Sequence, residues 1–140
     1  MTVIVDASAL VAQVDASDPA HEGVASILLK DGGPFVTSQL AVAEADHLID
    51  RYFGAAAAAS FAWDVATETF RAECLNPADL EVSAALADRY RDLRLGLADA
   101  SLIVLAARHG TTRILTLDER HFRVVRPLQG GSFSILPADA

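Results

Sequence analysis

The sequence predicts a single α/β domain, residues 1–140, built on a short and mainly parallel sheet of four or five strands with helices on both faces. Two observations carry that prediction. Short apolar, β-branched runs alternate along the chain with longer segments of helical period, the order expected of strand–helix–strand units. Four or five such short strands, each separated from the next by helix, imply a mainly parallel sheet covered on both faces. The length suits one domain whose core needs no staples.

Taken in order, residues 2–5 (TVIV) read as a buried strand and residues 7–14 (ASALVAQV) as the helix after it. Asp18 followed by Pro19 opens a second helix, which runs through Lys30 and stops at Asp31-Gly32-Gly33-Pro34. A strand over residues 35–37 leads into a helix over residues 38–52, which Gly54 punctuates. The alanine-rich stretch GAAAAASFAWDVA has high helix propensity and small side chains that permit close packing. Residues 69–74 alternate as a strand, and Asn76-Pro77 starts a helix extending to residue 91. Beyond the break at Leu95-Gly96-Leu97 lies an apolar helix, ASLIVLAARH, closed by Gly110. Residues 113–116 and 132–136 complete the strands.

Composition excludes several classes. Although 52% of the residues are hydrophobic, no run approaches the roughly 18 to 20 apolar residues of a membrane span. Asp6 interrupts the first apolar residues too early for a secretion signal, so the expected compartment is the cytoplasm. Cys74, the single cysteine, allows no disulfide within the chain and no thiolate metal site. A net charge of −8 argues against an ordinary nucleic-acid binder. Its distribution is uneven: residues 1–88 carry 3 basic and 14 acidic side chains, residues 89–140 carry 8 arginines and 5 acids. Arginine's planar fork suits phosphate, so a locally basic surface is compatible with the acidic total.

Four carboxylates stand out. In open sheets of this kind ligands gather beyond the carboxyl ends of the strands, where strand order reverses. Asp6 ends the first strand and Asp118 follows the strand over residues 113–116, so parallel strands bring both to one edge. Glu44 shares a helical row with Leu40 and Leu48, while Asp46, His47 and Asp50 read as the solvated face. Asp99 stands at the start of LGLADASLIVLAA, where Ser101 is the only other polar side chain. Each has an ordinary explanation as well: a helix cap for Asp6 and Asp99, a turn for Asp118, a flanking residue reaching solvent for Glu44. His21, His47, His109 and His121 lack i, i+4 pairing and read as surface residues.

Together the four acids suit a hard divalent cation, Mg²⁺ or Mn²⁺, which prefers oxygen ligands and is held by a few carboxylates plus substrate phosphate. Such an ion supports phosphodiester hydrolysis. Competing chemistries fit less well. No Asp pair one residue apart follows the first strand, the sole lysine is the early Lys30, and no glycine-rich phosphate loop occurs.

The segments VDASAL, TSQLAVAEADHLI, LRLGLADASLIVLAARHG and RILTLDERHFRVVRP, in this order across nearly the whole chain, resemble the PIN-domain ribonucleases, and among them the VapC toxins of toxin–antitoxin systems. The resemblance implies a three-layer α/β/α fold, Mg²⁺- or Mn²⁺-dependent endoribonuclease activity on structured translation RNA (tRNA or rRNA), and neutralisation by a cognate VapB-type antitoxin. The family's acids fall on Asp6, Glu44, Asp99 and Asp118, with Asp6 and Asp99 as the principal metal ligands. Ser8 and Thr116 match neighbouring positions that often carry a hydroxyl. Arg94, Arg120 and Arg123, close in sequence to the Asp99 and Asp118 motifs, are candidate phosphate contacts. The alanine-rich helix and the apolar residues among 38–66 suggest a homodimer and a groove for an antitoxin helix. The alternatives are a catalytically silent RNA- or partner-binding domain of the same fold, and a nuclease acting on DNA.

Overall fold

The computed structural model describes residues 1–140, and its five strands form one sheet that is parallel throughout. The strands are β1 (Val3–Val5), β2 (Phe35–Ser38), β3 (Arg71–Glu73), β4 (Arg113–Leu115) and β5 (Ser134–Leu136), in the order β3-β2-β1-β4-β5. Helices α1 (Ala7–Val14) and α2 (His21–Lys30) join β1 to β2, and α3 (Gln39–Phe53) and α4 (Ala55–Ala66) join β2 to β3. From β3 the chain returns through α5 (Pro77–Arg89), a 3₁₀ turn at Arg91–Leu93 and α6 (Leu97–Arg108) to β4, and the short α7 (Glu119–Phe122) precedes β5. The chain thus steps outward from β1 to β3 and then crosses back past β1. With right-handed crossovers, the outward connections cover one face and the return crossing the other, giving three α/β/α layers.

Burial follows from the sequence. Val3, Ile4 and Val5 are at most 1% exposed, because β1 has a neighbour on each side, Ile4 lying opposite Val36 and Ile114. Helix α6 packs on β1, β2 and α5, and its residues from Ala100 to Ala106 are all buried, as an unbroken apolar run requires. Its one buried hydroxyl, Ser101, donates to Ser38 Oγ at 2.7 Å, and Ser38 also caps α3 by accepting from Ala41 N. This bond fastens the start of α3 to the start of α6. Farther along, Arg108 pairs with Glu73 and Asp79, fastening the end of α6 to β3 and α5.

Several boundaries differ from expectation. Asp18 Oδ1 accepts from Ala20 N at 2.8 Å, so Asp18-Pro19 forms a turn and α2 begins only at His21. Helix α5, opened by the Asn76–Asp79 capping box, ends at Arg89 and tightens into the 3₁₀ turn that stops at Arg94 in the left-handed region (φ 58°). Helix α7 was not expected at all. No helix is long and apolar enough to cross a membrane. The order of strands reverses between β1 and β4, and there the site forms.

Candidate active site

Asp6 follows β1 directly. Its backbone N–H donates to Leu115 O at 3.0 Å, extending the pairing with β4, while its carbonyl accepts from Ala9 and Leu10 to begin α1. Its side chain makes no capping bond. Instead Oδ2 accepts the hydroxyls of Ser8 (2.7 Å) and Thr116 (2.8 Å), and the residue is 4% exposed. Those hydroxyl oxygens in turn accept Leu117 N and Asp118 N at 3.0 and 2.9 Å. Ser8, in the first turn of α1, and Thr116, just past β4, therefore anchor one carboxylate oxygen of Asp6 to the loop carrying Asp118.

Asp118 divides its carboxylate. Oδ1 accepts His121 N at 3.1 Å and caps α7, whereas Oδ2 lies 3.0 Å from His121 Nδ1. The same Nδ1 is 2.9 Å from Asp99 Oδ2, and Asp99 sits in the first turn of α6 behind Gly96. On the far side of the ring, Nε2 donates to Leu93 O at 2.9 Å. Leu93 O also accepts from Arg120 at 3.3 Å. Glu44, on α3 between the half-buried Leu40 and Leu48, is the most open of the four acids.

All four carboxylates line one cavity of about 470 Å³, with His121 and Arg94 beside them. Their proximity has an electrostatic effect. Burial, then the charge of Asp6, pushes the Asp99 carboxyl up to about 7; His121 opposes the rise and Glu44 adds to it. Glu44 is raised as well, first by burial and then by Asp6. A divalent cation among these groups would relieve that repulsion.

The donors fit such an ion. Asp99, Asp118 and His121 each aim one ligand atom so that all three lie within 4.8 Å of one another, a set of oxygens and one imidazole nitrogen without thiolate. Asp6 and Glu44 share the cavity but stand outside this trio. The histidine reading changes accordingly: His47 is exposed, but His121, expected at the surface, has a side chain only 12% exposed at the centre of the site. His109 is likewise enclosed, against Glu73, and His21 Nδ1 lies 2.8 Å from Ala12 O. The signal for His121 was the spacing Asp118-x-x-His121, which puts a cap and a ring on one turn.

The three arginine candidates separate. Arg123 is tied to Glu119 and Asp139 at 2.9 and 2.7 Å, and Arg120 reaches Leu93 O. Arg94 lines the cavity and makes no hydrogen bond or ion pair to an acid.

Comparison with known proteins agrees with this geometry. Residues 3–127 match the PIN domain family model. The chain is 37% identical over 135 residues to Ribonuclease VapC26 of Mycobacterium tuberculosis (strain ATCC 25618 / H37Rv), an alignment covering 96% of this chain and 100% of that protein. In fold it is similar to the crystal structure of Mycobacterium tuberculosis VapC20, described as a Sarcin-Ricin loop cleaving toxin, with a TM-score of 0.78, 19% identity, and coverage of 84% of this chain and 91% of that one. A five-stranded parallel sheet with acids gathered at its switch point, together with these matches, establishes that the chain belongs to the PIN-domain family, as a homologue of the VapC ribonuclease toxins.

Proposed function

We propose that the protein is a divalent-metal-dependent endoribonuclease, the toxin of a VapBC-type pair, which hydrolyses a phosphodiester bond in a structured translation RNA. The observation that carries this reading is the meeting of Asp6, Glu44, Asp99 and Asp118 in one cavity where the strand order reverses. A ribosomal RNA loop is supported as one substrate class by the activity described for VapC20, and tRNA remains within the same class.

Asp99 and Asp118 would hold the ion, with Asp6 facing it from β1. When bound, a divalent cation supplies Lewis-acid stabilisation of charge on the phosphoryl oxygens. The chain's own residues do the rest. Ser8 and Thr116 fix Asp6 Oδ2 by two hydroxyl bonds, leaving Oδ1 to the cavity. Glu44, open to water and with its proton affinity raised, orients the attacking water and accepts its proton. Arg94, at the rim and free of acidic partners, engages a substrate phosphate.

A homodimer and a VapB-type antitoxin are the proposed protein partners. They are supported by the exposed Tyr52, Phe53 and Trp63 on the α3–α4 hairpin, beside a groove of about 440 Å³ lined by Val42, Phe61 and Val65. An RNA substrate fits action in the cytoplasm.

The test is cleavage of total RNA by purified protein with Mg²⁺ or Mn²⁺, followed by mapping of the new ends. Activity lost on chelation and in Asp6→Asn is the expected result. RNA binding with no metal-dependent cleavage would instead identify a silent binding domain, and cleavage of single-stranded DNA at a similar rate would remove the RNA assignment.

A further inference from the structure

The site contains a nitrogen ligand that four carboxylates alone would not provide. We propose that His121 binds the metal directly through Nδ1, making a mixed oxygen and nitrogen site that favours Mn²⁺ over Mg²⁺. This rests on the metal-site reading above and goes beyond it in naming a ligand and a preference.

The ring is oriented from outside the acidic cluster. Leu93 O, 2.9 Å from Nε2, can only accept, so Nε2 carries a hydrogen and Nδ1 is the ring nitrogen turned to the two carboxylates. Histidines that bind metals characteristically donate their far nitrogen to a carbonyl or carboxylate in this way. Nδ1 then lies 2.9 Å from Asp99 Oδ2 and 3.0 Å from Asp118 Oδ2. An octahedral ion with bonds of about 2.1 Å keeps adjacent ligands roughly 3.0 Å apart. Nδ1 already has that spacing from both carboxylate oxygens, and the three atoms lie within 4.8 Å of one another, so an ion can take the place of the hydrogen that Nδ1 shares with them, and the displaced proton leaves to solvent. The carrier is stiff, since Asp118 caps the turn that bears His121. Mg²⁺ favours oxygen ligands and retained waters, whereas an imidazole adds affinity for transition-metal dications.

Pulsed electron paramagnetic resonance on the full chain loaded with Mn²⁺ tests the ligand. Coupling to ¹⁴N is expected, replaced by ¹⁵N coupling after histidine labelling and lost in His121→Gln while Mn²⁺ still binds. Calorimetry with each ion alone should find Mn²⁺ affinity about 10-fold or more weaker in His121→Gln and Mg²⁺ affinity nearly unchanged. If His121→Gln does not fold by circular dichroism, a protein with His21, His47 and His109 replaced by Gln retains one histidine, and its nitrogen coupling decides. Mn²⁺ bound without nitrogen coupling, coupling that survives His121→Gln, or equal losses for both ions overturns the histidine ligand and leaves the carboxylate site standing. Failure of the parent protein to bind either ion overturns both.

Discussion

Replacing Asp99 by Asn removes a titrating group with almost no change in shape. In the metal-free protein the Asp99 carboxyl is raised from 3.8 to about 7, by burial first and then by Asp6. An acid raised in this way binds its proton more tightly in the folded chain than in the unfolded one. Its stabilising effect is therefore complete below about pH 4 and is lost as pH rises through about 7. At 1.36 kcal/mol per unit, the rise corresponds to at most roughly 4 kcal/mol, of which about 3 kcal/mol is lost between pH 5 and 8. Water entering the cavity lowers this to about 2 kcal/mol, or about 6 °C in Tm for a chain of this length. Thermal unfolding in EDTA should thus show the parent protein losing about 6 °C more than Asp99→Asn between pH 5 and pH 8. At pH 8, Mn²⁺ or Mg²⁺ should recover that loss in the parent and produce a smaller shift in the variant. Parallel curves for the two proteins, or equal metal-induced shifts, would refute the claim that Asp99 is held among like charges that a cation relieves.

Other perturbations follow from the same geometry. Thr116→Val deletes a hydroxyl that donates to Asp6 and accepts from Asp118 N; urea unfolding should show a loss of about 1–3 kcal/mol, and metal affinity should fall with it. Arg94→Gln should weaken RNA binding and lower its salt dependence by a slope of about 0.7, while Arg123→Gln, already paired with Glu119 and Asp139, leaves the slope unchanged; binding across a salt series compares them. Ser101→Ala breaks the link to Ser38 and should cost about 1 kcal/mol without changing the metal-binding constant, as denaturation and calorimetry would record. Light scattering at high protein concentration should give a dimer mass, and Trp63→Glu should shift it towards monomer if the α3–α4 hairpin is the contact.

Long, strongly patterned segments were legible in the sequence because their period is set by burial. The unbroken apolar run of α6 placed that helix in the core, and Gly54 and Gly110, at φ 90° and 59°, mark helix ends where a side chain would be strained. Glu44 was legible from its row between two leucines, although it stands at the open edge of that row. What escaped was short. Helix α7 has four residues, too few to display a period, and its existence depends on Asp118 as a cap. His121 was only half legible: its spacing from Asp118 is a local signal, but its contacts with Leu93 and Asp99 come from 28 and 22 positions away, which no local pattern shows. The capping role available to Asp6 went unused because Ser8 and Thr116 claim one of its oxygens, a contact that depends on a residue 110 positions away.

The position of β1 between β2 and β4 has a consequence for synthesis on the ribosome. The strand that carries Asp6 is made first, yet its second neighbour, β4, and the turn bearing Asp118 and His121 are among the last parts of the chain to emerge. Domains are generally assembled as they are made, at about 5–20 residues per second, but here no partial chain ending before residue 113 can join the two halves of the acidic cluster. A growing chain therefore cannot bring its four acids together until it is nearly finished. The moment at which the site becomes complete is set by the order of the strands.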